Sequence, residues 1–159
     1  NSDISNWDTS KVTNMAGMFE SSIFNQDLNN WNTSNVTDMS YMFSYATRFN
    51  QPLNFDTSKV TNMMSMFCNA YNFNQNISSW NFDNIINCDY MFDNAKAFLD
   101  KYNNNSDPLP NHRDKIKKWF NLNRDKINEI DIKEKYGKEI DNFFTNINDI
   151  HSRNEIGLH

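Results

Sequence analysis

The chain has 159 residues, a net charge of −5 and a hydrophobic fraction of 38%, and no apolar run in it is long enough to span a membrane. Its length suits one domain, and an aromatic fraction of 14% with eight methionines excludes disorder for the body. Residues 1–100 carry four Lys/Arg against ten Asp/Glu, the opposite of a nucleic-acid footprint, whereas residues 101–159 are nearly balanced, with eleven against ten.

From the N-terminus the sequence repeats itself. Trp7, Trp31, Phe55 and Trp80 recur at intervals of 24, 24 and 25 residues. After each comes a small polar stretch and an aliphatic: DTSKV ending at Val12, NTSNV at Val36, DTSKV at Val60 and NFDNI at Ile85. Met15, Met39, Met63 and Cys88 follow, then the pairs Met18-Phe19, Met42-Phe43, Met66-Phe67 and Met91-Phe92. A further phenylalanine stands at Phe24, Phe49, Phe73 and Phe98, the first three opening FNQDL, FNQPL and FNQNI.

No unit of this size closes a core alone. Stacked in register, equivalent positions form interior columns. The expected core is therefore Trp7, Trp31, Phe55 and Trp80 with the four Met-Phe pairs, methionine filling the gaps beside aromatic rings. Gln26–Leu28 and its equivalents read as a short strand laddering between coils at a spacing of about 4.8 Å. NMAGMF, DMSYMF and NMMSMF place Met, Met and Phe at i, i+3 and i+4, which predicts one helical turn.

Thirty asparagines stand against three glycines, so asparagine is expected to take left-handed turn positions in place of glycine. Asp8, Asn32 and Asp56 read as turn formers whose side chains accept nearby backbone N–H groups. One carboxylate or amide per copy is too little for a calcium loop, and a threonine ice-binding array has no better support.

The pattern W-D/N-T-S-x-V-T-x-M-x-x-MF…FNQ, carried here by Trp31, Val36, Met39, Met42, Phe43, Phe49 and Asn50 and their counterparts, resembles the BspA-like leucine-rich repeats of bacterial surface proteins in their mycoplasma-lipoprotein form. The resemblance covers residues 3 to 98. It departs at Phe55 and in the fourth copy, where Phe82, Ile86 and Cys88 replace Thr, Thr and Met. It implies a leucine-rich-repeat-like solenoid, exposed on or secreted from a bacterial cell, with adhesive or partner-binding roles and no catalytic residues.

Beyond Phe98, KYNNNSDPLPN has the composition of a connector. Arg113–Phe120 reads as a short basic helix. Ile132–Ile150 reads as a longer one, with Ile132, Tyr136, Ile140, Phe143, Phe144, Ile147 and Ile150 at helical spacing and a capping box at Asp131 and Glu134. Trp119, Phe120, Phe143 and Phe144 are expected to cover the last coil. The whole reads as an α+β repeat solenoid, a short strand plus a helical turn per 24–25-residue coil. Residues 1–100 form the solenoid, 101–111 a connector and 112–159 a helical C-terminal cap.

For chemistry the sequence offers little. His112, His151 and His159 show neither zinc spacing nor a nucleophile–base pairing, and Gly17, Gly137 and Gly157 are isolated. No catalytic residue, metal or cofactor is assigned. The two cysteines, Cys68 and Cys88, occupy different repeat positions, which argues against one bridge between them. The leading expectation is a non-catalytic protein-binding or adhesion scaffold at a bacterial surface or secreted, contacting its partner through Gln26, Gln51 and Gln75 beside the strands and Tyr45, Arg48 and Tyr71 after the Met-Phe pair. The alternatives are a structural spacer within a larger surface polypeptide, and a cytoplasmic or injected protein that holds one protein partner.

Overall fold

The structure is a computed structural model that describes residues 2–104 and 107–155. The repeats stack in register, and their equivalent rings lie over one another. Phe19, Phe43, Phe67 and Phe92 form one column, with centroids 5.5, 5.7 and 6.0 Å apart. Phe24, Phe49, Phe73 and Phe98 form a second, each step 6.2 Å. The columns touch within every coil, as at Phe67–Phe73, 4.2 Å apart. Met39, Met42, Met63, Met66 and Met91 fill the space beside them and are fully buried.

What joins the coils is a backbone ladder built from turns. In the second coil the N–H groups of Met39, Tyr41, Phe43 and Tyr45 donate to Asn62 O, Met64 O, Met66 O and Cys68 O of the third, at 2.9 Å. The flanking coils repeat this from Met15, Gly17, Phe19 and Ser21 and from Met63, Ser65, Phe67 and Asn69. Overlapping turns within each coil keep the alternate N–H groups pointing one way, and each needs a left-handed residue. Gly17, Tyr41, Ser65 and Tyr90 form one column of positive φ, and Ser21, Tyr45, Asn69 and Asn94 the other, all between 54° and 66°.

This geometry corrects the expected α+β repeat solenoid of leucine-rich type. Among the described residues there is no strand and no sheet; pairing is confined to isolated parallel bridges linking Asn14, Asp38, Asn62 and Asn87. At Gln26–Leu28 and its equivalents the coils are joined by side chains instead: Asn25 Oδ1 accepts from Asn50 N–H (2.9 Å), and Asn50 Oδ1 from Asn74 N–H (3.0 Å). Nor is the Met-x-x-Met-Phe segment helical. Two overlapping turns bring i, i+3 and i+4 inward as a helical turn does, so the apolar spacing does not distinguish them.

The asparagine expectation also needs correction. Only Asn69 and Asn94 among the left-handed non-glycine residues are asparagines. Most of the repeat asparagines act through their side chains, as Asn25 and Asn50 do in the ladder above. The turn-forming reading of Asp8, Asn32 and Asp56 matches the structure: each accepts from the N–H and hydroxyl of the serine two residues on. Those bonds hold the Asp8 and Asp56 carboxyls below the ordinary range. The threonine between them is buried and clasps the next coil. Thr57 Oγ1 donates to Asn81 O (3.3 Å) and accepts from Asn81 N–H (2.8 Å), and Thr9 and Thr33 repeat the clasp.

Where the repeat pattern stops, Lys96–Tyr102 forms a short helix, α1, which buries Phe98 and Tyr102. One helix of 43 residues, α2, then runs from Arg113 to Glu155, in place of the two shorter ones the sequence suggests. Nothing between Asn121 and Asp131 breaks a helix, and Ile127 supplies the missing apolar contact by burying fully. The first half of α2 lies across the fourth coil. Ile116, Phe120 and Ile127 are buried, Phe120 packs with its ring centroid 4.2 Å from that of Phe82, and Trp119 is partly covered beside Phe92 and Phe98.

The fourth coil ends the ladder, and its remaining polar groups find partners in α1, α2 and the segment between them. Tyr90 N–H donates to Asn111 O, Arg113 to Ile86 O, Lys117 to Ile85 O and Arg124 to Ser78 O. Asn128 Oδ1 accepts from Asn76 and Ser78, and Tyr102 donates to Asp131 at 2.8 Å. Arg113, Lys117 and Arg124 thus act as carbonyl ligands against the stack. Phe143 and Phe144, by contrast, do not reach the stack and stay 60% and 58% exposed. At the opposite end Trp7 and Met18 remain largely exposed, unlike their buried equivalents Trp31, Phe55, Trp80, Met42, Met66 and Met91.

Two substitutions test this architecture. Phe67→Ala removes a fully buried ring from the first column, with its contact to Phe73 of the second, and should cost about 3–5 kcal/mol, against about 1 kcal/mol or less for Trp7→Ala. Thr57→Val should cost about 1–3 kcal/mol by leaving Asn81 N–H unpaired, with a much smaller effect from Thr37→Val at the exposed Thr37. Urea unfolding followed by tryptophan fluorescence measures both.

Candidate interaction surface

Most polar side chains of the coil are engaged in holding the stack, and this decides which of the sequence-assigned contacts remain available. Gln51 donates through its amide to Asn25 O and Oδ1, and Gln75 to Asn50 O and Oδ1, at 2.8–3.4 Å. Both are half-buried, as is Gln26. Gln51 and Gln75 therefore belong to the asparagine ladder.

The turn that follows the Met-Phe pair is different. Tyr45 occupies the second left-handed column, which turns its side chain outward, and it is 52% exposed. Arg48, three residues on, is exposed. Tyr71, in the next coil, is also exposed and donates weakly to Asn69 Oδ1 at 3.4 Å. Residue type varies sharply here: Tyr45, Asn69 and Asn94 share one repeat position, Thr47, Tyr71 and Lys96 another, and Arg48, Asn72 and Ala97 a third. The backbone beneath is fixed by the ladder, since Tyr45 N–H donates to Cys68 O and Asn72 Nδ2 to Thr47 O.

Beside Tyr71 lies an open cleft of about 770 Å³, walled by Phe92, Asp93 and Asn94 on the stack side and by Lys96, Leu99, Asn103, Pro108 and Leu109 from α1 and the segment after it. No sequence pattern announces this cleft, because it depends on how residues 96–104 and 107–111 are placed against the fourth coil. Its rim mixes carboxylate, amide and ammonium groups with no convergent acid, base or nucleophile. Among the described residues no group of three or more His, Cys, Asp or Glu is placed to hold a metal ion. His112 is exposed at the start of α2, and His159 lies outside the described residues.

The match that decides the family is to "Mycoplasma protein of unknown function, DUF285", over residues 1–106 and again over 52–135. The chain belongs to this family. DUF285 is associated with BspA-like repeat proteins, and the match takes in the whole stack and the part of α2 that lies against it. No curated protein and no solved structure matches the chain. No helix among the described residues is long and apolar enough to cross a membrane.

Both cysteines are free thiols. Cys88 is buried beneath the start of α2, where it donates to Arg113 O, and burial pushes its pKa from 9.0 up to about 12. Tyr102 is raised too, by burial and by its bond to Asp131. Folding thus favours the neutral form of each. The Cys88 contribution to stability is whole below about pH 9 and is lost as pH rises through about 12, and that of Tyr102, whose ordinary pKa is higher, is lost in the same direction. Thermal melts should show a Tm that is level up to about pH 9 and falls from there to about pH 11. The joint variant Cys88→Ala, Tyr102→Phe should flatten that fall.

Proposed function

We propose that this DUF285 chain is a non-catalytic protein-binding scaffold of the bacterial surface, displayed or secreted, that contacts its partner through the variable edge around Tyr45, Arg48 and Tyr71. One contrast carries the reading. The repeated Asp/Asn-Thr-Ser and Asn-Gln side chains are engaged within the stack, whereas the variable positions expose two tyrosines and an arginine over a backbone fixed by hydrogen bonds.

Tyrosine and arginine suit such a role. They offer large contact area and directional bonding, and they are enriched where interfaces concentrate their energy. Pre-ordering of the turns lowers the entropic cost of docking. The family's association with BspA-like repeat proteins supports the adhesive setting.

Pull-down from bacterial and host surface extracts, with the chain and with its Tyr45→Ala, Arg48→Ala, Tyr71→Ala variant, tests the proposal. The expected outcome is a protein retained by the first and reduced about tenfold or more with the second, both folding alike by circular dichroism. Equal retention would move the contact off this edge. Retention of nothing would favour a structural spacer.

A further inference from the structure

The second half of α2 carries an apolar stripe that no other described residue covers. Tyr136, Ile140, Phe143, Ile147 and Ile150 follow a 4-3-4-3 spacing, with Phe144 and Ile132 at its flanks, and all are 41–60% exposed. This stripe does not continue the face that packs on the repeats. At 3.6 residues per turn, Ile116, Phe120 and Ile127 lie about 180° around the helix from Tyr136, Ile140, Phe143 and Ile147. The apolar surface changes sides where α2 leaves the stack, and the distal stripe points away from the chain's own body.

We propose that this stripe is the seam of an antiparallel helical pair formed with a second copy of the chain. A 4-3-4-3 spacing is that of the a and d positions of a coiled coil, where two such seams interlock. With antiparallel helices centred between Phe143 and Ile147, Phe143 packs against Ile147 of the second copy and Ile140 against Ile150, each layer occurring twice. Phe144 then meets its own counterpart near the two-fold axis. At the rim Glu139 falls beside Arg153 of the second copy, again twice, so the charges are self-complementary.

The parallel arrangement lacks these features. It sets Lys133 against Lys133 in the seam and puts Glu139 beside Phe144, with no opposite charge in reach. It also brings two repeat bodies to the same end, whereas the antiparallel pair places them at opposite ends.

The area is sufficient. Leaving out Ile132, which this register sets beyond the end of the second helix, about half of six side chains of roughly 200 Å² each gives about 600 Å² per copy, at the low end of specific interfaces. A membrane surface fits less well, because the polar face mixes Glu134, Glu139, Asp141 and Asp149 with its lysines instead of being uniformly basic.

Sedimentation velocity of the full chain up to a few hundred micromolar, at low salt, reads the outcome. The expected result is a shift toward twice the 18.8 kDa chain mass, abolished by Ile147→Asp while near-UV circular dichroism of the repeats is unchanged. Glu139→Arg and Arg153→Glu should each weaken the dimer about tenfold, and the double variant should restore it. A chain that stays monomeric throughout overturns the proposal. So does a dimer that ignores Ile147→Asp or is not restored by the double exchange. A monomer that co-sediments with anionic phosphatidylserine vesicles overturns it in favour of a membrane seat.

Discussion

The coil-to-coil backbone ladder is the constraint on which the rest depends. Its alternate N–H groups aim at the next coil only because two residues per repeat adopt left-handed angles, a conformation that disfavours most side chains by about 1–2 kcal/mol. Tyrosine and serine sit there as well as glycine and asparagine. In the first three coils each such residue gains an inter-coil bond at 2.8–2.9 Å, and each turn carries a Met-Phe pair into columns of stacked rings. The strain is local, while the compensation is shared along the stack. This is why the coils need one another, and why no buried side-chain nitrogen or oxygen among the described residues lacks a partner.

Such a ladder must end somewhere, and the end shapes the rest of the molecule. The fourth coil departs from the pattern at Phe82, Ile86 and Cys88, and two of these departures answer the helix laid over it. Phe82 packs on Phe120 and Cys88 reaches Arg113 O, while the Ile86 side chain stays exposed and only its backbone carbonyl meets Arg113. The basic residues at the start of α2 are accordingly set by the geometry of unpaired carbonyls.

Much of this is legible from sequence, and the failures have physical causes. The in-register repeat reveals the buried columns at Trp31, Phe43, Phe67 and Phe92, since large apolar residues at a fixed period have nowhere else to go. Trp7 and Met18 escape that inference because repeat position does not reveal which coil has a described neighbour on one side only. The local backbone escapes it because i, i+3, i+4 apolar spacing fits overlapping turns as well as a helical turn, and because an asparagine ladder mimics a strand's register without its backbone pairing. The left-handed columns are hidden by tyrosine and serine at positions where glycine is the usual signal. Of the residues assigned as contacts, Tyr45 and Tyr71 are exposed, whereas Gln51 and Gln75 are bonded within the ladder. Glutamine at a fixed repeat position can equally be a ladder element, and only coordinates separate the two.

The same logic distinguishes the molecule's two unpartnered surfaces. Along the variable edge the backbone is fixed and the side chains differ from coil to coil, an arrangement suited to the selective contact proposed for it. Along the distal half of α2 the apolar spacing is regular and its rim charges complement themselves when reversed. Regular spacing carries little information about a foreign partner and much about an identical one. If both surfaces are used, two edges around Tyr45 and Tyr71 are held at the far ends of one helical pair. A partner displaying its site repeatedly, as a cell surface does, would then be gripped more tightly by the pair than by either copy alone, because the second contact forms within an existing complex.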